Sequence, residues 1–221
     1  MKEYLKITNE DNMELMARYP DNHFDLAIVD PPYGGNDAIG LTDNKSKGKQ
    51  AAKRTNYKVF ENTAPSIKYF EELKRVSKDQ IIWGVNFYKN IDLSGGRICW
   101  DKKGTAFGRG ELAYYSKSKS VNVCEIVWNG MIQYDMKNKE QRIHPTQKPI
   151  ALYQWLFNEY AEKDFKILDT HLGSGSIAIA LDSVNKIEKM NLTLTACELD
   201  AEYYNSATKR IEEETNWNSL F

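Results

Sequence analysis

Short apolar runs alternate with amphipathic segments along most of this chain. A short apolar run bounded by turn-forming residues is typical of a buried strand, whereas apolar residues spaced by three and four indicate a helix. The run FDLAIV at 24–29 stops at two prolines, which end a strand because proline cannot donate a hydrogen bond to the sheet. By these criteria the sequence predicts strands at 24–29, 80–85, 97–100, 121–128, 165–168 and 192–197, and helices at 63–77, 149–160, 175–184 and 201–214.

The order of these elements predicts an α/β fold. Strands separated by helices form βαβ units, and such units build a mainly parallel sheet with helices on both faces. The chain has 221 residues and contains no internal repeat or low-complexity linker. We therefore expect residues 1–221 to form a single domain.

Charge is balanced over the whole chain but not locally. The 30 lysines and arginines against 31 aspartates and glutamates leave a net charge of −1, which excludes a polybasic protein but not a local basic surface. Residues 45–58 carry six basic side chains and no acidic one, within a predicted long loop at about 34–62. This loop either binds nucleic-acid phosphates or is a solvated charged surface. The candidate phosphate-binding residues are Lys45, Lys47, Lys49, Lys53, Arg54 and Lys58.

Cysteine content and hydropathy bear on the cellular compartment. The three cysteines, Cys99, Cys124 and Cys197, are widely spaced and form no C-x-x-C pattern, which argues against a disulfide framework and a cysteine-based zinc site. We therefore expect no metal and a reducing, cytoplasmic location. Residues 1–13 show no apolar signal segment, and no apolar run approaches the roughly 18 residues that span a bilayer, so no membrane partner is expected.

A glycine-rich turn precedes one of the predicted helices. In ILDTHLGSGS (167–176), Asp169 ends a strand, and Gly173 and Gly175 allow backbone N–H groups to face a ligand. The next predicted strand is followed by Glu198, a position where an acidic side chain commonly accepts hydrogen bonds from ribose. A tight turn and a surface charge are the alternative reading. Because the phosphate-binding pattern G-x-x-x-x-G-K-[ST] is absent, a nucleoside cofactor without phosphates fits best, and S-adenosylmethionine is the commonest of these.

The turn Asp30-Pro31-Pro32-Tyr33 directly follows the strand at 24–29. Its prolines fix the backbone and remove donors, so we expect the Pro31 carbonyl to have no partner within the chain. Asp30 adds a carboxylate acceptor and Tyr33 an aromatic face. Two acceptors and an aromatic side chain suit a planar aromatic amine. The acceptors take hydrogen bonds from both N–H groups of the amine, and the ring that carries the amine stacks on the tyrosine. A proline-stiffened strand exit is the alternative for the tetrapeptide alone.

Three motifs in one order resemble the amino-methyltransferases that act on DNA: D-P-P-Y at 30–33, H-P-T-Q-K-P at 144–149 and ILDTHLGSGS at 167–176. The catalytic motif precedes the glycine turn, as in the β-class of these enzymes. The resemblance implies a Rossmann-like fold with this permuted motif order, S-adenosylmethionine as cofactor and DNA as partner, and it leaves a homodimer open. Further segments that resemble the family's small phage-associated members are IIWGVNFY (81–88), WDK (100–102), WNG (128–130) and ACELDAEYYNSATKRI (196–211).

The resemblance also implies the roles of individual residues. The residues implied to hold the target base are Asp30, Pro31, Pro32 and Tyr33. The residues implied to bind the cofactor are Asp169, Gly173, Ser174 and Gly175 around its methionine end, Glu198 at its ribose, and Thr146, Gln147 and Lys148 beside the methionine carboxylate. His171 stands where relatives more often carry phenylalanine, and it is given no role.

The resemblance implies methyl transfer to the exocyclic N6 of adenine in DNA. Methylation of a ring carbon is excluded because it needs a cysteine nucleophile, typically after proline, and none of the three cysteines follows one. Aspartate at the first motif position favours adenine in the family. The alternatives are N4 methylation of cytosine in DNA, adenine methylation in RNA, and a non-catalytic DNA-binding subunit of the same fold.

Little of the chain is available for recognising a target sequence. In β-class relatives this region lies before the H-P-T-Q-K-P motif, and here it is limited to about 129–143. A segment this short predicts a short target site or relaxed specificity, with the loop at 34–62 and a second subunit as further contributors.

Overall fold

A sheet and five flanking helices make up the described part of the fold. The computed structural model describes residues 1–34, 63–103, 110–128 and 132–217. The strands in these ranges are β1 (Leu5–Asn9), β2 (Phe24–Val29), β3 (Ser77–Trp83), β4 (Gly96–Asp101), β5 (Gly110–Tyr115), β6 (Val121–Glu125), β7 (Lys166–Asp169) and β8 (Thr193–Glu198). The helices there are α1 (Asn12–Ala17), α2 (Ile67–Val76), α3 (Ile150–Tyr160), α4 (Ser176–Ile187) and α5 (Ala201–Trp217).

The described strands form one sheet in the order β1-β8-β7-β2-β3-β5-β4-β6. Neighbouring strands from β1 to β3 are parallel, and β6 is parallel to β4. Among these described strands, only β5 runs against its neighbours β3 and β4. The predicted α/β fold with a mainly parallel sheet is thus confirmed. Because β2, β7 and β8 are parallel, the residues that follow them lie at the same edge of the sheet.

Helices cover both faces of this sheet, as predicted. Side chains of α3, α4 and α5 share one apolar core with Ile28 of β2, whereas side chains of α1 and α2 share another with Ala27 and Val29. The strand β2 is therefore buried on both sides, which explains its almost continuous apolar sequence. In the described ranges, no helix combines the length and the apolar character needed to cross a membrane.

Three short elements were not predicted, namely β1, α1 and β5. The strand β1 buries only Leu5 and Ile7, which is too few positions for a clear alternation, and it is held by parallel pairing with β8. The helix α1 has six residues and is capped by Asp11, whose carboxylate accepts from the Met13 N–H at 2.7 Å. Pairing and capping of this kind are not visible as a periodic pattern.

Some predicted boundaries also move. The helix α2 begins at Ile67 with Ser66 as its N-cap, rather than at 63, and β3 follows it at once from Ser77. The strand β6 ends at Glu125, and Trp128 instead forms an isolated bridge with Gln133.

A buried arginine connects three parts of the chain near the glycine-rich turn. Arg210 of α5 donates to the Ser174 carbonyl at 2.9 Å and to the Ser176 hydroxyl at 3.0 Å. It also pairs with Glu140 at 2.9 Å, and its side chain is only 7% exposed. The pair therefore fixes the glycine-rich turn to both α5 and the segment before α3.

We expect Arg210→Met to destabilise the fold strongly. The change leaves the Glu140 carboxylate buried without its cation, which costs about 3–5 kcal/mol for pairs of this kind. Urea unfolding monitored by circular dichroism measures the loss. Lys209→Met is the matched control, since Lys209 is 77% exposed and its Glu213 pair spans 3.9 Å. Equal unfolding midpoints for the two variants would contradict the assignment.

Candidate active site

Two of the predicted carboxylates, Asp30 after β2 and Glu198 at the end of β8, line one cavity at the carboxyl edge of the sheet. Its volume is about 690 Å³, which is in the range of pockets that hold small ligands. Asp169 and Gly175 are predicted site residues that do not line it. The predicted residues that line it are Asp30, Pro31, Pro32, Tyr33, Thr146, Gln147, Lys148, Gly173, Ser174 and Glu198.

The glycine-rich turn and Glu198 contact each other directly, which the sequence did not predict. The Gly173 N–H donates to Glu198 Oε2 at 2.9 Å, and the Asp200 N–H donates to Oε1 at 3.0 Å. Gly173 and Gly175 have φ values of +55° and +74°, which favour glycine. A Cβ on Gly175 would also lie 2.7 Å from the Ile211 side chain. Backbone amides thus fix the Glu198 carboxylate at the cavity wall, and burial raises its pKa.

Asp169 lies behind the cavity wall rather than on it. Its carboxylate accepts a hydrogen bond from the His171 N–H at 2.9 Å, and the residue is only 2% exposed. Burial raises its pKa to about 7, because few groups stabilise the charged form.

His171, which was given no role, faces the cavity next to Asn12. Its Nε2 lies 3.2 Å from the Asn12 amide nitrogen, and its Nδ1 lies 2.9 Å from the Thr170 hydroxyl. Burial lowers its pKa to about 4, so the ring is neutral at physiological pH. An amide N–H of Asn12 then donates to Nε2, and the ring proton resides on Nδ1.

Ion pairs dominate the other end of the cavity. The Tyr33 hydroxyl donates to Asp30 Oδ1 at 2.7 Å, and the Lys148 ammonium contacts Asp30 Oδ2. Lys148 also lies 3.0 Å from Glu111 Oε2, and Lys102 contacts the other oxygen of Glu111. The structure therefore pairs Lys148 with Asp30 and Glu111, whereas the sequence predicted a partner in the cofactor carboxylate.

The pKa values in this cluster follow from burial opposed by pairing. Burial raises the pKa of the Asp30 carboxyl, although Lys148 opposes the rise. Burial also acts to raise that of Glu111, but Lys148 and Lys102 outweigh it and bring the pKa to about 2. Burial lowers the pKa of Lys148, and its two carboxylate partners more than reverse this, so Lys148 is an ammonium.

The Pro31 carbonyl is not without a partner, and this expectation from the sequence is wrong. It accepts a hydrogen bond from the Tyr88 hydroxyl at 2.8 Å. A carbonyl oxygen has two lone pairs, so one further donor can still bind. Tyr88 was not singled out, because nothing in its sequence position shows that the segment after β3 returns to the D-P-P-Y turn.

The Tyr33 ring is itself stacked. It lies nearly parallel to Phe87, with 4.7 Å between the ring centroids and an angle of 8°. It also packs against Gly84, where a Cβ would come within 2.2 Å of the ring. Glycine at 84 therefore makes room for the tyrosine.

The H-P-T-Q-K-P segment is held by its own side chains. The Gln147 side chain accepts from the Ile143 N–H at 3.0 Å, and the Gln147 carbonyl accepts from the Trp128 indole at 2.9 Å. The Thr146 hydroxyl lies 3.1 Å from His144 Nδ1. Gln147 thus has a structural role next to the cavity, in addition to lining it.

Some predicted features lie outside the described residues. The basic residues Lys45, Lys47, Lys49, Lys53, Arg54 and Lys58 belong to this group, as do positions 35–62 as a whole and 129–131. The rest of the predicted recognition segment is described, and Gln133 closes it into a loop by bonding to the Glu140 N–H at 2.7 Å and the Glu140 carbonyl at 2.9 Å. In the described ranges, no group of three histidine, cysteine or acidic side chains is arranged to hold a metal ion.

The fold and the site together define a class of protein. A glycine turn after β7 and an acidic residue ending β8, on a mainly parallel sheet, are typical of the Rossmann-like methyltransferases, and here a D-P-P-Y turn also follows β2. The profile of the N6/N4 methyltransferase family, described as DNA methylase, matches residues 98–209, about half of the chain. The chain belongs to this family of DNA methylases, which use S-adenosylmethionine.

Individual relatives agree with this assignment. The Escherichia coli (strain K12) protein YubD, named as a methylase, is 27% identical over 181 residues, which cover 77% of this chain and 76% of YubD. Solved structures share the fold at low identity. The complex of M1.HpyAVI with S-adenosylmethionine has a TM-score of 0.52 at 15% identity and covers 94% of this chain and 98% of that one.

Two further structures are similar. A Thermus thermophilus protein, TTHA0409, named as a DNA modification methylase and also solved with S-adenosylmethionine, has a TM-score of 0.54 at 14% identity, covering 95% of this chain and 94% of that one. The cytosine-N4-specific PvuII DNA methyltransferase has a TM-score of 0.55 at 12% identity, covering 96% and 93%. These likenesses confirm the expected Rossmann-like fold.

The raised pKa of Asp169 predicts a pH-dependent stability. The folded protein keeps this proton up to about pH 7, whereas the unfolded chain releases it near its usual value of 3.8. Between these values the folded state binds more protons, so this carboxyl makes stability fall as the pH rises. Asparagine cannot ionise. We therefore expect the free energy of unfolding of Asp169→Asn to rise relative to that of the wild type by a few kcal/mol between about pH 4 and pH 8.

Urea unfolding of both proteins across this pH range measures the difference. Asp21→Asn, at a carboxylate that is 73% exposed, is the control for loss of a negative charge. Parallel pH curves for Asp169→Asn and the wild type would show that Asp169 does not titrate in this way.

Proposed function

We propose that this DNA methylase transfers the methyl group of S-adenosylmethionine to the exocyclic N6 of adenine, with the base flipped out of the duplex. The observation that carries the proposal is the Asp30-Pro31-Pro32-Tyr33 turn in the same cavity as Glu198 and the glycine-rich turn. A base-binding carboxylate and a ribose-binding carboxylate then face the same cavity.

The cofactor side of the cavity fits a nucleoside. The Glu198 carboxylate is held by two backbone N–H groups and has lone pairs left for ribose hydroxyls. Gly173 and Ser174 line the same wall, and Asp169 supports it through the His171 backbone. S-adenosylmethionine, when bound, supplies an electrophilic methyl group on a sulfonium.

The base side of the cavity fits a planar amine. Asp30 accepts one N–H of the amine, and the second lone pair of the Pro31 carbonyl accepts the other, which aims the nitrogen lone pair at the methyl group. Flipping the base costs a few kcal/mol in lost pairing and stacking. Stacking of the base on the ring of Tyr33 is worth about 1–3 kcal/mol and offsets part of this cost.

Adenine is favoured by the aspartate at the first position of the D-P-P-Y turn. Cytosine N4 is the second candidate, because the PvuII enzyme, which is named as specific for it, shares the fold over 96% of this chain. Both amines would use the same acceptors, so the choice between adenine and cytosine depends on whether a purine or a pyrimidine ring fits the cavity.

Contacts with the rest of the DNA are also part of the proposal. Residues 45–58 bind backbone phosphates. The segment 129–143 recognises a short target sequence, or recognises its target with relaxed specificity. Both segments belong to a single domain at 1–221. The protein acts in the cytoplasm of a bacterium or of a phage-infected cell.

Methyl transfer to DNA tests the proposed function directly. Purified protein, S-adenosylmethionine and unmethylated DNA are incubated, and the digested nucleosides are measured by mass spectrometry. We expect N6-methyladenine, and we expect Asp30→Ala to lower its rate by at least about 100-fold because the amine loses its charged acceptor. Asp92→Ala, at an exposed aspartate, is the matched control and should retain activity.

The other products have separate meanings. N4-methylcytosine that depends on Asp30 would keep the mechanism and overturn the choice of base. Methylation of RNA alone would overturn DNA as the substrate. Absence of any product while S-adenosylmethionine still binds would favour a non-catalytic subunit.

A further inference from the structure

The Lys148 ammonium is shared by two carboxylates that come from different parts of the sheet. Asp30 follows β2 and Glu111 lies in β5, while Lys148 precedes α3 with only 3% of its side chain exposed. Lys102, after β4, contacts the second oxygen of Glu111. Two carboxylates and two ammonium groups therefore form one cluster whose charges cancel.

This arrangement creates a competition at Asp30. Oδ1 already accepts from the Tyr33 hydroxyl, and Oδ2 is in contact with Lys148. Each carboxylate oxygen has two lone pairs, so a target amine that donates to Asp30 shares an oxygen either with the Tyr33 hydroxyl or with Lys148. In both cases a further donor weakens the hold of this carboxylate on the Lys148 ammonium. An ammonium as buried as Lys148 cannot be released without a counterion, since leaving such a charge unpaired is strongly unfavourable.

Glu111 provides that counterion without any large movement. Its Oε2 lies 3.0 Å from Lys148 Nζ, and it lies 3.5 Å from the Tyr33 hydroxyl, so it also faces the catalytic turn. The flexible lysine side chain can therefore shift from Asp30 towards Glu111 over a short distance and stay paired throughout.

We propose that Glu111 is a positioning residue of the methyl-transfer site, which takes over the Lys148 ammonium when the target amine binds Asp30. The inference rests on the proposed function, because it assumes that Asp30 accepts the amine. Glu111 itself does not contact the base. Its effect passes through Lys148, and this distinguishes it from a residue that only stabilises the sheet.

A double-mutant cycle on methyl transfer tests the inference. The substrate is an oligonucleotide that carries a target site, found beforehand by sequencing methylated DNA. The proteins are the wild type, Glu111→Gln, Lys148→Met and the double variant, each measured for kcat/KM and for S-adenosylmethionine affinity. Glu125→Gln is the matched control, because this glutamate is 58% exposed and pairs with Lys103 outside the cluster.

We expect Glu111→Gln to lower kcat/KM about tenfold or more, because Lys148 is then left to Asp30 alone. Its affinity for S-adenosylmethionine should stay within about twofold of the wild type. Once Lys148 is removed, Glu111 has no ammonium to take over. The double variant should then match Lys148→Met within about twofold.

The opposite results are equally clear. If the double variant loses the product of the two single losses, Glu111 acts independently of Lys148 and the inference is wrong. It is also wrong if Glu111→Gln retains wild-type kcat/KM. If Glu111→Gln alone fails to fold, as thermal unfolding would show, the comparison of Lys148→Met with the double variant decides. If wild-type protein transfers no methyl group to DNA but binds S-adenosylmethionine, the proposed function fails, and the inference fails with it.

Discussion

Lys148 and Arg210 are cations buried near the carboxyl edge of the sheet, and each is surrounded by groups that compensate its charge. Lys148 is held by Asp30 and Glu111, and Arg210 is held by Glu140 together with oxygens of the glycine-rich turn. A buried charge needs such partners because its transfer out of water is costly. The partners come from segments far apart in the chain, so satisfying these charges also brings the segments together.

The segment between β6 and α3 shows how this organises the cavity. Glu140, past its middle, binds Arg210 behind the glycine-rich turn, and Lys148, near its end, binds Asp30 at the D-P-P-Y turn. Between them, Gln147 is fixed by the Ile143 N–H. One short stretch therefore spans from the cofactor side of the cavity to the base side. Its geometry sets the distance between the two proposed ligands, on which in-line transfer of a methyl group depends.

Much of this could be predicted from sequence because the signals were local. The apolar run of β2 ends at Asp30, and the glycines at 173 and 175 adopt the positive φ values that their turn requires. Parallel strands then bring Asp30 and Glu198 to one edge, a consequence of topology that the strand and helix pattern already implied. The β-class motif order also indicated that the D-P-P-Y turn comes before the glycine-rich turn in the chain.

The remaining features depend on contacts that leave no local pattern. Glu111 lies in a strand that was not predicted, and its sequence neighbours give no sign that two lysines meet there. Tyr88 was likewise invisible as a partner of the Pro31 carbonyl, since only the path of the chain after β3 brings its hydroxyl within 2.8 Å. Lys148 was found through its motif, but its ion pair with Asp30 was not, because that pair depends on the relative placement of β2 and α3.

These long-range contacts also bear on the choice between adenine and cytosine. The proposed acceptors for the amine, Asp30 and the Pro31 carbonyl, would serve either base, and the fold is shared with an enzyme named for cytosine N4. Discrimination must then come from groups around the ring, where shape and hydrogen bonds differ between a purine and a pyrimidine. Tyr33 and Lys148 line the cavity together with Asp30, so the ring of the proposed target base would have to fit against them. Lys148, which balances the charge of Asp30, thus also bounds the cavity that the proposed target base would enter.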